Sequence, residues 1–167
     1  FNKININKKI GVDPYPITEI KNLYKNTSDD FFKSNKEFFD IIFIDGLHLE
    51  HQVDKDIDKS LKFLSKDGFV ILHDCNPPTE FHQRENYEIG GKFPPWNGTV
   101  WKSFAKLRMT NPNLIMFCVD CDWGVGVIKK GKSKIFDSSE KLTYDFLSKN
   151  RIELLNLISV NYFINNY

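Results

Sequence analysis

The most constraining feature of the chain is an apolar segment, a helix-like segment and a second apolar segment in direct succession. Residues 38–46 read Phe-Phe-Asp-Ile-Ile-Phe-Ile-Asp-Gly, and residues 69–72 read Phe-Val-Ile-Leu. Both are typical of parallel strands that are buried on each face. Between them, apolar residues recur near the helical period at Val53, Ile57, Leu61 and Leu64. The pattern predicts a right-handed βαβ unit whose helix is ended by Gly68.

Weaker patterns precede this unit. Residues 9–13 form a short apolar strand that Pro14 must end, because proline cannot continue a strand ladder. A second, weaker strand is expected near residues 22–25. Thr27 is followed three residues later by Asp30, as in a capping box, which predicts a helix through residues 31–35.

The second half of the chain adds helices and a hairpin. Residues 76–95 are rich in proline and glycine, which predicts a long loop over the strand ends. A helix is expected from Val100 to about residue 111. Residues 114–119 and 125–128 flank a tight connection and predict an antiparallel hairpin at one sheet edge. Two helical segments, residues 139–150 and 151–158, close the chain.

Charge and cysteine content favour a small-molecule partner. Lys and Arg number 23 against 22 Asp and Glu, a formal net charge of +1, so electrostatics give no reason to expect nucleic acid or an anionic membrane. No apolar run approaches the roughly 18 residues that span a bilayer. Cys75, Cys118 and Cys121 fit reduced thiols better than a disulfide framework. We therefore expect a cytoplasmic protein.

Chemically capable side chains follow the predicted strands. Asp13, Asp45 and Asp74 each stand at the carboxyl end of a strand, which is where ligands bind in open α/β sheets. His48 and His73 lie beside two of these carboxylates in sequence, and histidine is suited to proton transfer near neutral pH. The pattern predicts a functional site at this edge of the sheet.

Six segments, in this order and spacing, resemble class I S-adenosylmethionine-dependent methyltransferases of a subfamily associated with glycan and secondary-metabolite O-methylation. They are residues 10–14 (IGVDP), 27–32 (TSDDFF), 39–48 (FDIIFIDGLH), 72–77 (LHDCNP), 96–101 (WNGTVW) and 122–126 (DWGVG). The resemblance implies a single α/β domain over residues 1–167, Rossmann-like, with a mainly parallel sheet, a terminal antiparallel hairpin and helices on both faces. It also implies that the Gly-rich first strand-turn-helix unit is missing, so this N-terminally truncated chain alone should bind the cofactor poorly.

The resemblance assigns roles to several residues. Asp13 would accept hydrogen bonds from the ribose hydroxyls of S-adenosylmethionine, and the other expected cofactor-binding residues are Ser28, Asp29 and Asp45. For Ser28, a helix cap is an equally good explanation. Asp45 and Asp74 would hold Mg²⁺, with the third ligand open because Cys75 separates Asp74 from Asn76. Alternatively, His48 or His73 would act as the general base.

The implied reaction is methyl transfer to a hydroxyl of a small molecule, with Trp96 and Trp123 near the site mouth and Trp101 there or in the core. A degenerate binding or scaffold domain of the same fold is an alternative. A nicotinamide-dependent oxidoreductase is another, and it requires the residues after Asp122 to form something other than an edge hairpin. Residues 76–78 (NPP) resemble a motif of DNA amino-methyltransferases, but Thr79 replaces its aromatic residue, so DNA is not expected as substrate. The oligomeric state stays open.

Overall fold

The computed structural model describes residues 3–17 and 21–167. The chain divides into two compact units, an N-terminal unit of residues Phe1–Glu37 and a C-terminal unit of residues Phe38–Tyr167. The single-domain organisation stays a prediction. No helix in the described ranges has the length and apolar character needed to cross a membrane.

The N-terminal unit contains a small parallel sheet and one helix. Strand β1 (Gly11–Val12) pairs in parallel with β2 (Leu23–Tyr24), and helix α1 spans Ser28–Ser34. The Thr27 side chain accepts a hydrogen bond from the Asp30 N–H at 3.1 Å, which confirms the predicted cap. Thr27 is therefore the capping residue, and the expectation that Ser28 caps the helix is wrong.

The C-terminal unit carries the predicted βαβ unit and hairpin. Its elements are β3 (Phe39–Ile44), α2 (Glu50–Lys62), β4 (Leu64–Leu72), α3 (Val100–Thr110), β5 (Leu114–Val119), β6 (Val125–Lys130), α4 (Tyr144–Leu155), β7 (Leu157–Ile158) and α5 (Val160–Asn166). The sheet order is β3-β4-β6-β5-β7. β3 and β4 are parallel, β7 is parallel to β5, and β6 runs antiparallel to β4 and β5. The fold is therefore mixed α/β and Rossmann-like, as predicted.

The hairpin is confirmed, but its position differs from the prediction. β6 is inserted between β4 and β5, and the short β7 pairs with the outer side of β5. The hairpin therefore lies within the sheet and not at its edge.

Gly68 does not end α2. The helix stops at Lys62, and Gly68 lies inside β4, where the pairing with β3 shifts register between Phe39 and Ile41. A Cβ atom on Gly68 would lie 2.8 Å from the Asp40 carbonyl oxygen. The glycine is needed for close approach of the two strands, which a helix-stop pattern cannot distinguish.

The predicted helix boundary at residues 150 and 151 is also wrong. Residues 139–143 are not helical, and Thr143 caps the first turn of α4. This single helix continues through residues 150 and 151 without a break. The Asn150 side-chain amide donates to the Phe146 carbonyl oxygen at 2.9 Å and so stays within the helix. The helix ends at Asn156, whose φ of 46° is left-handed. β7 follows directly.

The main core lies between one face of the sheet and helices α2, α3 and α4. Its largest fully buried side chains include Trp101, Phe104, Leu147 and Leu154. On the opposite face, Phe117 and Val127 pack with Phe163 of α5, so helices contact both faces as predicted.

β3 was expected to be buried on both faces, but it is the outer strand of the C-terminal unit. Ile41 and Phe43 are 66% and 58% exposed. An apolar run therefore predicted the strand correctly but not its place in the sheet.

Candidate functional site

Adjacent parallel strands place four of the predicted site residues at one end of the sheet. Asp45 follows β3 directly, and His73 and Asp74 follow β4. The His73 N–H donates to the Ile44 carbonyl oxygen at 3.1 Å, which extends the strand pairing up to the site. Asp74 has a φ of 63°, in the left-handed region that most side chains avoid. Such strained positions cluster at functional sites.

Two imidazoles alternate with two carboxylates in this cluster. His48 Nε2 lies 3.3 Å from Asp45 Oδ1, and His48 Nδ1 lies 3.0 Å from Asp74 Oδ2. The second contact is an ion-pair distance without hydrogen-bond alignment. His73 Nδ1 lies 3.2 Å from Asp45 Oδ1 and 3.5 Å from Asp74 Oδ2. Asp45, His48, His73 and Asp74, which we call the strand-end cluster, therefore lie together.

The carboxylates around the cluster raise the pKa of both imidazoles. Burial lowers the pKa of His48, but the adjacent carboxylates of Asp45 and Asp74 outweigh it and raise that pKa to about 9. For His73, burial again lowers the pKa, and Asp122 with the two cluster carboxylates raises it above its usual value. Burial raises the pKa of Asp45, but both imidazoles outweigh this and leave it lowered. The carboxylates and the imidazoles therefore each favour the charged form of the other.

Three residues of the cluster have the donor atoms of a metal site. Asp45, His48 and Asp74 each offer one ligand atom, and these atoms lie within 4.8 Å of one another. Two carboxylate oxygens suit Mg²⁺, and the imidazole nitrogen also suits transition metals. Asp45 is partly exposed and Asp74 is buried, so an ion there would keep an open side. The residues present therefore fit a divalent cation.

Asn76 does not complete this donor set. Its Nδ2 donates to Asp120 Oδ1 at 3.2 Å, and its Oδ1 accepts from the Arg151 guanidinium. Its backbone N–H donates to the Trp123 carbonyl oxygen at 2.7 Å. Asn76 therefore fixes the β5–β6 turn to the end of β4.

The β5–β6 turn places a further carboxylate, that of Asp122, beside the cluster. Asp122 has a φ of 45°, and its Oδ2 lies 3.0 Å from His73 Nε2. In the sequence, Asp122 lies in the predicted tight connection, and no role was predicted for it. A carboxylate at a turn is too common to indicate a site by itself.

Sequence analysis also missed Asn97. This residue is fully buried, and its Nδ2 donates to Asp74 Oδ1 at 2.8 Å. The signal available was a polar residue before Gly98 at the start of a helix, and such a residue usually caps a helix. Only the path of the preceding loop brings it to Asp74.

The three tryptophans have different surroundings. The Trp96 ring stacks on His48 with centroids 5.0 Å apart and an interplanar angle of 15°. Trp101 is fully buried in the core. Trp123 is 43% exposed and meets His82 edge to face at 5.9 Å. Trp96 is therefore the tryptophan in contact with the cluster.

The remaining predicted cofactor residues lie in the N-terminal unit. Asp13 follows β1 and is exposed, and its Oδ1 accepts a hydrogen bond from the Tyr15 N–H at 2.7 Å. Ser28 begins α1, and Asp29 lies in its first turn. Their contact with a cofactor stays a prediction.

Comparison with known protein families gives one match. Residues 9–75 match a family model described as a methyltransferase domain. The matched range runs from the residues before β1 to the end of β4, and it contains Asp13 and all four residues of the strand-end cluster. No curated protein matches the chain. The family match supports a methyltransferase domain, the general class that the resemblance implied.

Proposed function

We propose that the chain transfers the methyl group of S-adenosylmethionine to a hydroxyl of a small molecule. The observation that carries the proposal is the strand-end cluster, which lies within the residues that match a methyltransferase domain. Ligands of open α/β sheets bind at this end of the strands. Membership of the chain in a subfamily of O-methyltransferases is also part of this proposal.

The cofactor would supply an electrophilic methyl group. Asp13 fits a ribose-binding role because it is exposed at the end of β1, and the bond to Tyr15 occupies only its Oδ1. Its Oδ2 is then suited to accept from a ribose hydroxyl. Ser28 and Asp29 would border the adenine, and Asp45 is likewise proposed as a cofactor-binding residue.

We further propose that Asp45 and Asp74 hold a divalent cation, which would acidify the acceptor hydroxyl. The pKa of His48 supports this version over one in which His48 is the base. With a pKa of about 9, His48 already carries its proton at neutral pH and cannot accept another. A bound cation would replace that positive charge between the two carboxylates.

Aromatic side chains beside the strand-end cluster indicate the chemical class of the acceptor. From Trp96, which stacks on His48, the rings continue to Tyr87 at 5.7 Å and on to Phe93 at 5.5 Å. Tyr87 and Phe93 are half or more exposed. This row offers flat apolar surface to an aromatic ring or to the apolar face of a sugar.

The acceptor should be uncharged near its hydroxyl. The Arg84 guanidinium donates to four backbone carbonyl oxygens of the same loop, those of Phe81, Tyr87, Pro94 and Pro95. It is therefore engaged in holding the loop. Its charge is then not available to pair with an acidic acceptor.

The test is a methyl-transfer assay on the intact gene product with a methyl glycoside and a catechol as probe acceptors. Activity should disappear in EDTA and return with Mg²⁺ or Mn²⁺. Asp74→Asn should abolish activity, whereas Asp58→Asn, at an exposed position of α2 paired with Lys62, should not. Full activity in EDTA would remove the cation and leave His48 or His73 as the base. Cofactor binding without transfer to any acceptor would instead support a binding domain.

A further inference from the structure

Four consecutive residues, Trp96–Thr99, meet the strand-end cluster from the loop before α3. Asn97 Nδ2 donates to Asp74 Oδ1 at 2.8 Å, and the Trp96 ring stacks on His48. The Thr99 N–H donates to the His48 carbonyl oxygen at 2.8 Å. One short segment therefore contacts residues that follow two different strands.

The segment is itself held in place. The backbone N–H groups of Asn97 and Gly98 both donate to the His82 carbonyl oxygen, at 2.9 and 3.2 Å, and Trp96 Nε1 donates to the Arg84 carbonyl oxygen at 2.6 Å. Gly98 has a φ of 62°, and a Cβ atom there would overlap the His48 carbonyl oxygen. The segment can approach His48 this closely only because position 98 is glycine.

Packing alone does not account for the amide of Asn97. The side chain is fully buried, and its Oδ1 has no hydrogen-bond partner in the part of the chain that the structure describes. Burying an unpaired amide oxygen is unfavourable, and an apolar side chain of the same shape would avoid this cost. The amide nitrogen, Nδ2, does have a partner, because it donates a hydrogen bond to Asp74.

We propose that Asn97 is a positioning residue that fixes the carboxylate of Asp74. Asn97 donates to one oxygen of the Asp74 carboxylate, Oδ1. The other oxygen, Oδ2, then faces His48 Nδ1 at 3.0 Å and stays within the cluster. Without the donor, the carboxylate is free to turn about its last side-chain bond. The purpose of this arrangement rests on the proposed function, because a fixed Asp74 oxygen is what would orient the acceptor hydroxyl or its cation.

The test compares crystal structures and kinetics of the intact wild-type protein and Asn97→Leu, which keeps the shape of the side chain and removes its donor. In the variant, the Asp74 carboxylate should turn and its Oδ2 should move away from His48 Nδ1. The kcat of methyl transfer should fall about tenfold or more, with unchanged affinity for S-adenosylmethionine by calorimetry. The melting temperature should stay within a few degrees of wild type. Asn165→Ala, at an exposed position of α5, should match wild type in every measurement.

An unmoved Asp74 carboxylate in the variant would overturn the proposal. A lower kcat together with weaker cofactor binding and a melting temperature lowered by more than a few degrees would also overturn it, because Asn97 would then be only structural. If Asn97→Leu does not fold, Asn97→Ala provides the same comparison. A wild-type protein that transfers no methyl group defeats the proposed function, but the crystallographic comparison still decides the role of Asn97.

Discussion

Removing the proton from His48 should destabilise the C-terminal unit by a predictable amount. The pKa of His48 rises from 6.5 to about 9 because Asp45 and Asp74 flank it and outweigh its burial. At roughly 1.4 kcal/mol per pKa unit, this shift is worth at most about 3 kcal/mol of folding free energy. Because the folded-state pKa is the higher one, the stabilisation is complete below about pH 6.5. It is lost as the pH rises through about 9.

The assay is urea unfolding of EDTA-treated protein between about pH 6 and about pH 10, for wild type and His48→Gln. Tryptophan fluorescence reports on the relevant unit, since Trp96, Trp101 and Trp123 all lie in it. The free-energy difference between wild type and His48→Gln should shrink by about 3 kcal/mol over this range.

His51→Gln is the matched control, because His51 is exposed in α2, three residues from His48 in the chain. This variant measures how far the loss of an imidazole outside the strand-end cluster changes the free energy of unfolding. A difference between wild type and His48→Gln that does not depend on pH would refute the reasoning, since the carboxylates would then not hold the proton.

Three further predictions concern other parts of the chain. In a cofactor-binding form of the protein, Asp13→Ala should weaken S-adenosylmethionine binding about tenfold or more by calorimetry, because a charged hydrogen-bond acceptor is lost; unchanged affinity would contradict the ribose role. Gly98→Ala should lower the free energy of unfolding by about 1–3 kcal/mol, since its φ of 62° and the nearby His48 carbonyl disfavour a side chain; a neutral result in urea would contradict this. Phe104→Ala, in the core, should cost about 3–5 kcal/mol, and Phe81→Ala, 49% exposed, should cost clearly less in the same experiment.

The sequence predicted those parts of the fold that have strong periodic signals. β3, α2 and β4 follow from apolar runs on either side of a helical period, and the β5–β6 hairpin follows from two runs around a tight turn. Single-residue signals were less reliable. Gly68 indicated a helix end, but its missing Cβ serves the approach of two strands. A helix boundary was predicted between Asn150 and Arg151, but the Asn150 side chain bonds back into α4.

The same contrast applies to the candidate site. The meeting of Asp45 with Asp74 was predictable, because the carboxyl ends of adjacent parallel strands lie side by side. The contacts of Asn97 and Trp96 were not, since they depend on how residues 76–98 fold back. That path is set by backbone hydrogen bonds, such as those to the His82 carbonyl, which no residue pattern encodes.

The bond between Thr99 and the start of α2 has a consequence for the order of folding. Leu49, at the N-cap of this helix, provides no side-chain cap, and Thr99 Oγ1 accepts the Glu50 N–H at 2.7 Å from 49 residues further along the chain. The first turn of α2 can be completed only after a loop of that length has closed, which delays such contacts kinetically. The remainder of α2 needs no such closure. The Glu50 amide should therefore become protected from hydrogen exchange together with α3, later than the centre of its own helix.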